Sequence, residues 1–177
     1  MEKGDVGFLW ILSYNDHGGV IDLREFLFNQ LEVIRSNTLN VVKEVSENQA
    51  DLVPEGFNNN IRWNLGHVYL AQEQFAFGFI SEPMQMPDGF AELFGRDTKP
   101  SEWKIQPPTL LELTELLEDQ TSRIKEKLDN RLAEVVANPF KMPSGITLRT
   151  IGEFLTFSMY HEGMHVQTIK MLKKFSA

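Results

Sequence analysis

Tyr160-His161-Glu162-Gly163-Met164-His165-Val166-Gln167 places two of the chain's four histidines four residues apart. The surrounding segment, Thr147 to Phe175, reads as a helix. At about 100° per residue, positions i and i+4 differ by only about 40° in direction, so both imidazoles leave on one face. A single metal ion takes two ligands from one helix in this arrangement. Ile151, Phe154, Ser158, His161, His165, Thr168 and Leu172 share a stripe at steps of three and four, flanked by Leu155 and Ile169. That stripe is expected to be the buried side of an amphipathic helix. Histidines on it need partners, because an unpaired buried polar group is costly. Hydrogen bonds to core neighbours would serve; the paired spacing favours a metal.

Working outward, the whole chain sets bounds. Its 177 residues suit one domain with one good core. A net charge of −8, with no Lys/Arg-rich run, argues against binding a phosphate backbone. With no cysteine there are no disulfides, no thiolate ligands and no cysteine nucleophile, so any thiol chemistry must use a thiol brought by a substrate. The apolar run Val6 to Leu12 is far below the ~20 residues of a spanning helix. Glu2 and Asp5 offset Lys3, which leaves no positive signal-peptide region. A cytoplasmic protein is expected.

Residues 1–20 read as an N-terminal extension ending in Asn15-Asp16-His17-Gly18-Gly19, a turn-rich linker in which His17 is a solvated loop histidine. Its apolar part, Gly7 to Leu12, has the character of a packing or partner segment. Residues 21–177 read as the main domain. A first helix is expected from about Asp22, with Glu25 as its capping-box partner, to Glu47. It carries an apolar period through Leu23, Phe26, Leu27, Leu31, Ile34, Leu39, Val42 and Val45, with a polar patch at Arg35-Ser36-Asn37. A second should start at Asn59 or Asn60 and run to about Ile80. It contains Trp63 and His67 one turn apart, and Gly66, which would let a neighbour come close. Ser81 to Pro108 is a long connection rich in proline and aromatics. It should be an ordered loop with a short helix near Phe90–Phe94. A third helix, capped by Thr109 and Glu112, should reach Val136. A fourth follows, capped by Thr147 or Thr150. Four amphipathic helices with no convincing strand give an all-α fold, a four-helix bundle.

His67 then joins His161 and His165. Three protein ligands with an open fourth position describe a catalytic metal site rather than a closed structural one. Imidazole ligands alone do not choose among zinc, nickel, iron and copper.

On these residues the chain resembles the DinB-like (DinB/YfiT) superfamily. The matching stretches are Trp63-Asn64-Leu65-Gly66-His67 and His161-Glu162-Gly163-Met164-His165. Phe94 to Trp103 is similar to the family's Gly-x-x-x-Pro-x-x-Trp-type connection. The W-x-L-x-H and H-E-x-x-H elements are also similar to those of the bundle domain in ergothioneine-pathway sulfoxide synthases. The resemblance covers about residues 20–175. It implies a four-helix bundle holding a divalent transition metal (zinc, nickel or iron) on His67, His161 and His165. Its members include bacillithiol- and mycothiol-dependent transferases, a thiol-dependent maleylpyruvate isomerase and proteins called metal-dependent hydrolases. It also makes a homodimer an expectation.

His161 to His165 fits the zinc-protease pattern H-E-x-x-H as well, in which Glu162 would be the general base. Those enzymes usually take their third ligand downstream, and Val166 to Ala177 contain no His, Asp or Glu. Glu162 points about 100° from His161 and about 60° from His165. That leaves its role open: catalytic from behind the metal ligands, holding a ligand or a metal-bound water, or else a helix–helix salt bridge or a partly exposed carboxylate. The expected function is a metal-dependent enzyme acting on a small molecule with a low-molecular-weight thiol as cosubstrate. A hydrolase, or a non-enzymatic metal-stabilised bundle that binds a ligand or partner, is the alternative.

Overall fold

The computed structural model describes Ser13–Tyr14 and residues 20–176. His17 and the Gly7–Leu12 segment lie outside the described residues. The fold is mostly helical, with α1 (Leu23–Val42), α2 (Glu47–Asp51), α3 (Ile61–Ala76), α4 (Phe90–Phe94), α5 (Leu110–Leu128) and α6 (Ile151–Phe175). Two small antiparallel ribbons accompany them: β1 (Ser13–Tyr14) with β2 (Val20–Ile21), and β3 (Val135–Lys141) with β4 (Thr147–Thr150). Among the described residues, no helix is long and apolar enough to cross a membrane.

The helix starts follow local chemistry. Thr109 with Glu112, and Thr150 with Glu153, form reciprocal capping boxes on α5 and α6. Asn60 caps α3 by accepting from the Trp63 amide. Asp22 caps α1 by accepting from the amide of Arg24, not through a box with Glu25.

Two expectations about elements are corrected. The first helix ends at Val42, and Glu47–Asp51 forms a separate short helix capped by Ser46. The third helix ends at Leu128, and Val135–Val136 instead open the β3–β4 hairpin. Valines suit a pleated strand, while Pro139 and Pro143 block helix through this segment.

Of the long helices, α3 packs on α6 and α5, and α1 packs on the same two. The apolar interior divides into two clusters. One gathers Leu65, Tyr69, Phe90, Phe94, Leu113, Leu117 and Ile169; the other Phe28, Leu31, Phe77, Ile124, Leu128, Phe154 and Leu155. Along each long helix a buried polar residue falls between the two clusters: Arg35 on α1, Glu73 on α3, Gln120 on α5 and Glu162 on α6. Arg35 Nη2 donates to Gln120 Oε1 (3.2 Å), and Gln120 Nε2 donates to Glu73 Oε1 (2.8 Å). Arg123 also donates to Glu73. Two cations and two anions thus neutralise one another inside the core, which is how charges are tolerated there.

This polar layer corrects the stripe expected on α6. Its buried line is Ile151, Phe154, Leu155, Ser158, Glu162, Val166, Ile169 and Leu172. His161 and His165 flank it, half-buried, and Thr168 is also only partly covered. Arg35, part of the polar patch in the first helix, is 3% exposed.

Candidate metal centre

α3 and α6 bring His67, His161 and His165 together. One ring nitrogen from each lies within 4.8 Å of the others. Ring centroids are 5.3 Å apart for His67–His161, 5.0 Å for His67–His165 and 4.7 Å for His161–His165. Nitrogens bound tetrahedrally at 2.0–2.1 Å stand about 3.4 Å from one another, so small side-chain adjustments close the set on one ion.

Hydrogen bonds on the far side of two rings fix which nitrogen is available. His67 Nδ1 is 2.7 Å from the Phe94 carbonyl. A carbonyl only accepts, so Nδ1 carries the proton and Nε2 keeps its lone pair. His165 Nδ1 is 2.8 Å from Asn64 Oδ1 and is set the same way. His161 is held by packing, with the Phe75 ring at 6.0 Å in an edge-on arrangement. Trp63 stacks on His67 at 4.6 Å with 10° between planes.

The long connection contributes directly. A Cβ on Gly66 would lie 2.4 Å from the Phe94 ring, so only glycine lets α4 come this close to α3. Trp63 Nε1 donates to Thr98 Oγ1 (2.8 Å), and Trp103 Nε1 donates to the Leu93 carbonyl (2.8 Å). These bonds hold the Phe94 carbonyl over His67.

Electrostatics suit a cation. Burial pushes the His165 imidazole down to about 3, with His161 and His67 adding repulsion. Burial and His67 bring His161 to about 4, against an opposing pull from Glu162. Burial lowers His67 as well, and its bond to Phe94 opposes the shift. All three rings are therefore neutral near pH 7, the form that ligates metal. The nearby cation Arg35 is occupied by Glu162. The donor set fits a divalent transition ion.

Glu162 lies on neither histidine's bonded nitrogen. Arg35 Nε donates to its Oε1 (2.9 Å), Arg35 Nη2 to its Oε2 (3.1 Å) and Thr38 Oγ1 to Oε1 (2.6 Å). Of the roles left open by the sequence, the salt bridge is the one whose contacts are present, and at 1% exposure the carboxylate is not a partly exposed one. Asn64, Phe94 and Arg35 received no role from sequence reasoning. Asn64 gave one signal: it is a polar residue inside the apolar run Trp63 to Leu65.

A DinB superfamily model matches residues 30–169. The chain belongs to the DinB superfamily. Its fold is also similar to that of a solved conserved protein from Enterococcus faecalis. That match has a TM-score of 0.66 and 13% identity, covering 88% of this chain and 98% of that one. At such identity the likeness speaks for the fold alone. No curated protein matches the chain in sequence. In this DinB-superfamily protein the three histidines lie inside the matched span, and so do Asn64, Gly66 and Phe94.

Proposed function

We propose that the four long helices form a DinB-type four-helix bundle that holds a divalent transition metal (zinc, nickel or iron) on His67, His161 and His165. The bound metal serves an enzyme that joins a low-molecular-weight thiol to a small electrophile. A divalent ion in such a site lowers the pKa of a bound thiol or water and supplies a nucleophile at neutral pH. The chain's own part is to present three neutral, half-buried imidazoles from two helices to one ion.

The observation that carries the choice of thiol over water is Glu162. A hydrolase of the H-E-x-x-H kind needs that glutamate as a free general base. Here both of its oxygens are engaged by Arg35 and one also by Thr38. A thiol needs less help, since a metal-coordinated thiol is deprotonated outright. The absence of cysteine means that the thiol comes with a cosubstrate.

The test is metal analysis of purified protein, followed by incubation of the metal-loaded form with an alkylating electrophile and either bacillithiol or water alone. Thiol-dependent product that disappears in His161→Ala supports the proposal. Failure to bind stoichiometric metal overturns the centre. Turnover with water alone overturns the choice of thiol and favours a hydrolase.

A further inference from the structure

Asn64 is 2% exposed on the first turns of α3, and its amide bridges two helices. Nδ2 lies 2.7 Å from the Asn60 carbonyl, and Oδ1 lies 2.8 Å from His165 Nδ1 on α6. The backbone carbonyl decides the rest. It can only accept, so the amide nitrogen must face it and the amide oxygen must face His165. An amide oxygen can only accept in turn, so His165 Nδ1 must carry the hydrogen, and its lone pair sits on Nε2.

The same carbonyl also accepts from the Asn64 backbone amide at 3.2 Å. Asn60 is itself fixed, since its Oδ1 caps the Trp63 amide at 2.8 Å. The start of α3 is thus a rigid chain of hydrogen bonds running from a helix cap to a ring on another helix. We infer that Asn64 is a positioning residue, one that sets the tautomer and orientation of His165 so that Nε2 faces His67 and His161. The inference rests on the metal-centre proposal for its purpose, but the tautomer it requires exists without any metal. Among the described residues, Asn64 provides the hydrogen bond found at His165 Nδ1.

Losing an outer partner of this kind typically costs about 10–100-fold in metal affinity. Asn64→Leu removes the acceptor at similar volume. Asn64→Asp keeps an acceptor toward His165 while losing the donor to Asn60. The experiment is nitrogen-15 NMR of histidine-labelled metal-free protein at about pH 7.5, with His165 assigned through His165→Gln, alongside zinc titration of the same samples. Expected are an Nδ1–H tautomer for His165 in the unsubstituted protein and in Asn64→Asp, and a shift toward Nε2–H in Asn64→Leu. Zinc affinity should fall about 10–100-fold in Asn64→Leu and less in Asn64→Asp. An unprotonated Nδ1 in the unsubstituted protein overturns the inference without any variant having to fold. So does an Asn64→Leu protein that keeps both tautomer and affinity. A residue of structural value only would lower the melting temperature of both variants and leave the tautomer alone. If the unsubstituted protein shows the Nδ1–H tautomer yet binds no zinc, the metal proposal fails and the positioning of His165 by Asn64 stands.

Discussion

Arg35 and Glu162 stand 127 positions apart in the chain and meet in the core, with Arg35 Nε donating to Glu162 Oε1 at 2.9 Å. They are 3% and 1% exposed. The pair ties α1 to α6 one residue away from His161. It accounts for a glutamate inside a sequence pattern that elsewhere signals a general base.

Glu162→Gln is therefore expected to act on stability and not on metal binding. Removing one member of a buried ion pair leaves the other charge uncompensated, at a cost of roughly 3–5 kcal/mol. Urea denaturation should report that loss, while zinc titration of the folded variant stays within a few-fold of the parent. A variant of unchanged stability that has lost turnover would restore Glu162 as a general base.

His67→Ala should abolish tight metal binding with the fold intact, because hydrophobic burial carries most of the stability. The loss should exceed the roughly 10–100-fold expected when only an outer hydrogen-bond partner is removed. His17→Ala is the control and should change nothing. Retention of stoichiometric metal with unchanged affinity in His67→Ala would rule out its place in the centre.

Gly66→Ala tests the close approach of α4. The added methyl meets the Phe94 ring, so the ring and the carbonyl beside it must move. Overpacking of this kind typically costs about 1–3 kcal/mol. The distinguishing outcome is weaker metal binding as well, since the displaced carbonyl holds His67 Nδ1. A variant that loses stability alone would separate α4 from the histidine cluster.

The histidines also set a pH dependence for the metal-free protein. Their folded values lie below the unfolded one near 6.5, at about 4 for His161 and about 3 for His165. Below about pH 6.5 the unfolded chain therefore takes up protons that the folded rings refuse, and stability falls as pH drops. Their contribution stops changing once the folded rings protonate too, near pH 3–4. Urea midpoints measured between about pH 7.5 and pH 4.5 should decline, and more steeply than in a His161→Asn, His165→Asn double variant. Equal slopes would show that the rings are not held neutral by burial.

Trp63 offers an optical readout. It stacks on His67 with ring centroids 4.6 Å apart and lies 6.3 Å from His165. Cobalt or copper bound by the three histidines should quench its emission, and Trp63→Phe should remove most of the quenching. Quenching that survives Trp63→Phe would place the ion near another tryptophan.

The sequence by itself determined the helical character of the chain, the cap at Thr109, the caps of α3 and α6 to within two candidates each, the short helix at Phe90–Phe94 and the three histidines worth watching. These are local matters: a capping residue acts within its own first turn, and an i, i+4 pair shares a face wherever the helix lies. Tertiary structure decided what depends on partners far along the chain. Hydropathy read Arg35 only as part of a polar patch and centred the α6 stripe on the histidines, because it assigns each residue a fixed preference. A buried arginine and a buried glutamate become acceptable only when they find each other, and no single-residue preference contains that pairing. The hairpin at Val135–Thr150 escaped for a similar reason, since a strand acquires its hydrogen bonds from a second strand. The tautomers of His67 and His165 were likewise beyond the sequence. They are fixed by where the Phe94 carbonyl and the Asn64 amide come to rest, and that is a property of how α3, α4 and α6 pack.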